Sequence, residues 1–154
     1  MSARAEVEEG WVVMEVKGLL LDPASETPVL LLQSSDGALL LPIWIGQVEA
    51  NSIAVALEGI REPRPMTHDL IHGILVELAI ELVRIEVWAL REGTFIGRLR
   101  LRRGEERCEV DSRPSDAIAM AVRTGAPIWV ARTVLDEALQ LDLAMLGKEE
   151  ERLR

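Results

Sequence analysis

The densest group of polar side chains in the sequence is Asp111-Ser-Arg-Pro-Ser-Asp116. Pro114 suits the first position of a helix, so Asp111 should end a strand while Ser115 and Asp116 fall in the first helical turn, beside backbone N–H groups that lack partners. Such a junction can turn two carboxylates and one guanidinium toward a common point. Asp111 and Asp116 would then hold a divalent Mg²⁺ or Mn²⁺ that activates a water and shields a phosphodiester, with Arg113 neutralising the developing charge. The plainer reading is that Ser115 and Asp116 cap the helix and Arg113 pairs with Asp111. Glu49 and Asn51, at the start of an earlier helix, carry the same two readings.

His68, Asp69 and His72 spell HDLIH, the i, i+4 histidine spacing of a zinc-protease helix with Asp in place of Glu. On a helical wheel the two histidines edge the apolar stripe while Asp69 lies on the far side, and no third ligand is near in sequence. Asp69 therefore reads equally well as an acid favoured by the helix N-terminus. A histidine with an ordinary pKa near 6.5 suits proton transfer at neutral pH, which makes His68 a candidate general acid or base. Arg98, Arg100 and Arg102 fall on one face of a strand at a spacing of about 6.6 Å. They can follow a phosphate backbone, or they can pair across a hairpin, Arg100 with Glu109 and Arg98 with Asp111.

The elements that must position these groups follow from pattern. Trp11 to Leu21 reads as a strand, and Val29 to Gln33 and Ala38 to Ile45 form a hairpin around Ser34-Ser-Asp-Gly37. Small and apolar residues predict a closely packed helix from Gln47 to Glu58, stopping near Gly59. The segment Arg61 to Met66 is a stiff loop. Thr67 then caps a helix with an apolar stripe of Leu70, Ile71, Ile74, Leu75, Leu78 and Leu82. Val83, Ile85, Val87 and Ala89 alternate with outward Arg84, Glu86 and Trp88. Two further strands, Phe95 to Arg102 and Arg107 to Asp111, surround Gly104, and Cys108 should turn inward with Val110. A helix runs from Pro114 to about Gly125, and Pro127 to Ala131 is a short strand. Thr133 caps a last helix to about Ala144, and the tail GKEEERLR should fray.

With 154 residues, a formal charge of −9, 49% hydrophobic and 28% charged residues, the chain has the balance of one globular domain, over residues 1–140, with a charged tail over 141–154. No apolar run reaches the roughly 18 residues of a spanning helix. The acidic start MSARAEVEEG does not read as an export signal, which places the protein in the cytoplasm. One cysteine permits no internal disulfide and no structural zinc site. Lys17 and Lys148 are the only lysines and neither follows a glycine-rich phosphate loop; GxSxG and GxGxxG turns are absent, which removes several large enzyme classes. The negative charge repels nucleic acid on average, so such a partner would need a basic patch or a bridging metal ion. The four tryptophans read as core or subunit-contact residues, with Trp88 turned outward toward a partner surface.

Two internal echoes suggest duplication of a sheet-plus-helix half. Asn51-Ser-Ile-Ala-Val-Ala-Leu resembles Asp116-Ala-Ile-Ala-Met-Ala-Val, and PIWI at Pro42 resembles PIWV at Pro127, in registers that disagree. Strands in runs followed by helices argue for an α+β domain.

Taken in order, LPIWIGQVEANSIAVALEG, RPMTHDLIHGILVEL, GTFIGRLRL and DSRPSDAIAMAVRTGAPIWVA closely resemble the bifunctional nuclease domain family, from about Trp11 to Ala138. The resemblance implies an α+β fold with a curved, mostly antiparallel mixed sheet and packed helices, a homodimer, and cleavage of both DNA and RNA. It places Glu49, Ala50 and Ile53 in the first helix, Arg64, Pro65, Thr67, His68 and Asp69 at the second, and Asp111, Arg113, Pro114, Ser115 and Asp116 at the third. His72 lies outside the pattern, and Ala79 stands where the pattern has glycine. The expectation is a metal-dependent nuclease of low sequence selectivity. Its catalytic groups would be Asp111, Arg113, Ser115, Asp116, His68, Asp69 and Glu49, its metal ligands Asp111 and Asp116, and its nucleic-acid contacts Arg64, Arg98, Arg100 and Arg102. The rival is a non-catalytic regulatory or oligomerisation module in which the same residues hold turns and cap helices.

Overall fold

A computed structural model describes residues 9–139 of the chain. The elements are β1 (Trp11–Asp22), β2 (Thr27–Ser34), β3 (Leu40–Trp44), α1 (Gln47–Leu57), α2 (Thr67–Glu77), β4 (Glu81–Arg91), β5 (Thr94–Arg103), β6 (Glu106–Ser112), α3 (Pro114–Thr124) and β7 (Ile128–Ala131). A fourth helix, α4, occupies residues 132–139. The strands make one open, mixed sheet in the order β3-β2-β1-β7-β4-β5-β6. Every pairing is antiparallel except β4 with β7. This is the α+β class that strands in runs predict. The tail from 141 onward and the predicted end of the last helix lie outside the described residues.

Helix α3 organises the molecule. Its Ala-rich stretch buries Ala117, Ile118, Ala119, Met120 and Ala121, small enough for α1 and α2 to approach and for the helix to lie on β4 and β5. Pro114 opens it, and Gly125, at φ +78°, ends it in the left-handed conformation that a side chain disfavours. Strand β5 passes directly beneath this start. A Cβ on Gly97 would stand 3.1 Å from the Ser112 carbonyl oxygen and 3.2 Å from Pro114, so glycine there lets the β6–α3 junction settle on the sheet. The core continues through Leu30, Leu32, Ile53, Ile85, Val87 and Val130, all with essentially no exposure.

Several sequence expectations are corrected. Met66, not Thr67, is the N-cap of α2, because Asp69 accepts the Met66 backbone N–H at 3.0 Å and closes the turn one residue earlier. The expected α2 stripe is mostly open: only His68 and Leu75, seven residues apart on one line, are buried, while Leu70, Ile74 and Leu78 are about half exposed. The reason is that α2 packs mainly on α3, with a smaller contact to β4, and leaves its other side open. Leu82 belongs to β4 rather than to the helix. Helix α4 already includes residue 132, so Thr133 lies inside it rather than at its cap. Cys108 and Val110 are exposed, because β6 is an edge strand that no helix covers. Glu86 is fully enclosed rather than solvent-facing, and Trp129 is core while Trp44 is exposed.

The two meanders, β1-β2-β3 and β4-β5-β6, are each followed by a helix, α1 and α3. Duplication does not follow from that order. Aligning the helices on their first residues, Gln47 and Pro114, sets Glu49 against Asp116, whereas the sequence echo sets Asn51 there.

Candidate active site

The first turns of three helices converge. Glu49 is the third residue of α1, His68 the second of α2, and Asp116 the third of α3. Asp116 is the hub. One of its carboxylate oxygens accepts from His68 Nε2 at 3.0 Å and the other accepts from Arg113 Nε at 2.8 Å. Arg113 extends a terminal nitrogen to Glu49 Oε1 at 2.9 Å, and the Glu49 side chain folds back over Gly46, leaving no room there for a Cβ. On its other side the imidazole meets a residue the sequence reading passed over: Ser52 Oγ lies 2.6 Å from His68 Nδ1.

These contacts fix the proton positions. A carboxylate only accepts, so the hydrogen between Asp116 and His68 sits on Nε2. In the neutral imidazole Nδ1 is then the free acceptor, and the Ser52 hydroxyl donates to it. Ser52 follows Glu49 by one helical turn, so both face the same side of α1. The contacts thus form a ring: Ser52, His68, Asp116, Arg113, Glu49 and back along α1. His68 is nearly enclosed, its side chain 9% exposed, whereas that of Arg113 is 65% exposed. Burial pushes the Asp116 carboxyl up, but Arg113 and His68 more than offset this and hold it below the usual carboxylate range. The Arg113 guanidinium is pushed up by the same Asp116 and by Glu49.

A second arginine, Arg123, which the sequence reading did not single out, supports the ring from below. Its side chain is 7% exposed and donates to Asp69 Oδ1 at 2.8 Å, to the Ser52 carbonyl at 3.2 Å and to the Ala119 carbonyl at 3.1 Å. One guanidinium therefore ties α1, α2 and α3 together behind the serine and the histidine. Asp69 serves this tie and the α2 cap, and Arg123 followed by the Met66 N–H holds its carboxyl below the ordinary range.

The remaining candidates stand apart from the ring. Asp111 is exposed on edge strand β6, opposite Arg98 in register, and makes no ion pair among the described residues. Arg64 is an exposed loop residue. The arginine row is engaged: Arg98 and Arg100 reach the enclosed Glu86 at 2.5 and 2.9 Å and Glu109 at 3.3 and 3.2 Å, and Arg102 pairs with Glu81. Arg84 also binds Glu86 and lies over the Trp129 ring. Ser115 is buried on the wall of an open cleft of about 330 Å³ whose rim carries Arg113, Trp44, Gly46, Thr94 and Phe95.

The expected divalent ion finds no ready donor set. Asp111 does not join Asp116, both Asp116 oxygens are taken by N–H donors, and no group of three His, Cys, Asp or Glu among the described residues is placed to hold a metal. His72 is likewise outside the ring and lines a different cleft, with Glu81 and Thr124, so the zinc-protease geometry is not formed.

Residues 30–142 match the bifunctional nuclease domain. The chain belongs to the bifunctional nuclease domain family. It is 42% identical over 125 residues to an uncharacterized protein of Mycobacterium tuberculosis, a match that covers 81% of this chain and 74% of that one. It is 28% identical over 118 residues to bifunctional nuclease 1 of Oryza sativa subsp. japonica, covering 75% of this chain but 36% of the rice protein. Bifunctional nuclease 2 of the same plant is 25% identical over 122 residues, covering 77% of this chain and 38% of its own length. All four ring residues that the family pattern supplies, Glu49, His68, Arg113 and Asp116, lie inside the matched span.

Proposed function

We propose that the chain is a cytoplasmic nuclease that cleaves phosphodiester bonds of DNA and RNA with low sequence selectivity at the ring of Ser52, His68, Asp116, Arg113 and Glu49. The observation that carries this reading is the unbroken hydrogen-bonded path from a partly exposed serine through a histidine of fixed tautomer to a carboxylate held by an exposed arginine. Two of the Arg113 nitrogens hold Asp116 and Glu49, and the guanidinium retains N–H donors for a phosphate oxygen, so positive charge stands where a phosphoryl group gains negative charge. His68 carries the proton, and Asp116 stabilises the imidazolium that forms. Beside Arg113, the half-exposed Trp44 ring is oriented by its Nε1 donating to Asp22 at 3.0 Å. A base can stack on it, and stacking tolerates any base, which accounts for low selectivity. No step is assigned to a metal ion, since the donor set does not fit one.

The test follows purified protein on single-stranded DNA and RNA with Mn²⁺, Mg²⁺ or EDTA. Asp116→Asn should lower cleavage by about 100-fold or more, the scale of a positioned acid–base group, with a cooperative melting curve showing that the variant is still folded at the assay temperature. Cleavage unaffected by this substitution would place the chemistry elsewhere.

A further inference from the structure

We infer that Ser52 is the nucleophile of this site and that cleavage passes through a covalent phosphoseryl intermediate. The inference rests on the nuclease reading above for its substrate class, but its own support is geometric. The Oγ–Nδ1 separation of 2.6 Å is that of a short hydrogen bond, shorter than the 3.0 Å from Nε2 to Asp116. Because Asp116 fixes the proton on Nε2, the neutral imidazole has its one free lone pair aimed at the serine and nowhere else. Ser–His–Asp is thereby complete, with the two imidazole nitrogens in the opposite order to the common arrangement. A serine with a purely packing role has no need of a histidine tautomer fixed from the far side by a carboxylate that is itself fixed by an arginine. Ser52 also lies one helical turn from Glu49, which holds the exposed Arg113, so a phosphate bound at the guanidinium is brought toward the serine.

The step balances without a co-reactant other than water. Ser52 gives its proton to His68 Nδ1, Oγ bonds to phosphorus, and the phosphorus–oxygen bond to the departing nucleoside breaks on the opposite side. That oxygen takes a proton from solvent, and the imidazolium returns its own to solvent. A water then attacks the phosphoserine, giving its proton to His68, which passes one to Oγ as it leaves. The sum is one phosphodiester and one water converted to one phosphomonoester and one alcohol. A protein nucleophile that is already positioned replaces the activated water for which a metal ion is otherwise needed.

The experiment uses the full chain and two substrates, an end-labelled single-stranded oligonucleotide and bis(4-nitrophenyl) phosphate, each with EDTA present. With the activated ester the expected result is a burst of 4-nitrophenolate close to one equivalent, and acid quenching should leave a phosphoryl adduct on the peptide containing Ser52. Ser52→Ala, checked for an unchanged melting curve, should lose the adduct and slow cleavage by about 100-fold or more. The adduct is mapped in the wild-type chain, so the result stands even if the variant folds poorly. Oligonucleotide cleavage at an unchanged rate in Ser52→Ala overturns the nucleophile and leaves the nuclease reading intact. An adduct from the ester without any cut oligonucleotide supports the nucleophile and overturns the nuclease reading. No adduct and no cleavage overturn both.

Discussion

At the scale of single residues, the site combines groups that titrate with groups that hold the backbone. Asp69 does both, closing the first turn of α2 and receiving Arg123. Its carboxyl is held below the ordinary value, so its contribution to stability is complete above about pH 4 and is lost as pH falls through the lowered value. Asp116 behaves with the same sign, since its arginine and histidine partners outweigh its burial. Melting curves taken from pH 7 down to pH 3 should therefore fall on the acid side, and Asp69→Asn should start lower and fall less steeply. Ala79 offers a simpler test. It sits at φ +54° just after α2, a conformation that opposes its Cβ, where the family pattern has glycine. Ala79→Gly should raise stability by about 0.5–1 kcal/mol in urea unfolding, the scale of relieving a left-handed alanine.

Between elements, two arginine-centred clusters dominate. Arg123 fastens three helices through a carboxylate and two carbonyls while almost wholly buried. Arg123→Met keeps the volume and removes these bonds, and should lower stability by about 2–3 kcal/mol in urea unfolding while also slowing cleavage, because Ser52 and His68 lose their backing. On the outer face of the sheet, Glu86 lies beneath Arg84, Arg98 and Arg100; burial pushes its carboxyl up, yet the three guanidiniums hold it below its usual range. Glu86→Gln leaves those cations facing one another and should cost about 3 kcal/mol or more by the same measurement. These clusters mark the limit of what the sequence discloses. Helix α3 is legible because Pro114 and Gly125 are local signals, and the Arg100–Glu109 register follows from a tight hairpin. The line from Ser52 to His68 to Asp116 joins residues 16 and 48 positions apart and exists only once three helices dock. The signal available beforehand was a hydroxyl one turn after Glu49. Glu86 was misread because bulges at Leu82/Arg84 and Val87/Ala89, together with Arg98 and Arg100 on β5 and Trp129 on β7, decide its surroundings.

For the whole molecule, the half of α2 that the domain does not cover is the surface that bears on assembly. Leu70, Ile74, Val76 and Leu78 are between 48% and 65% exposed on this helix and just beyond it, which supports the homodimer that the family resemblance implies. Light scattering on the eluting peak should give twice 17.1 kDa, and Ile74→Glu should return the mass of one chain without loss of fold. No helix among the described residues is long and apolar enough to cross a membrane.

Strand β7, four residues long and entirely buried, is made late but occupies the centre of the sheet, between β1 and β4. Until it emerges from the ribosome, the nascent chain carries two meanders whose inner strands present bare hydrogen-bonding rims to each other and to any neighbouring polypeptide. Synthesis therefore passes residue 131 before the sheet can close. A stall or a stop codon just ahead of Ile128 should release not a shortened protein but an aggregation-prone one, the kind of intermediate on which holding chaperones act.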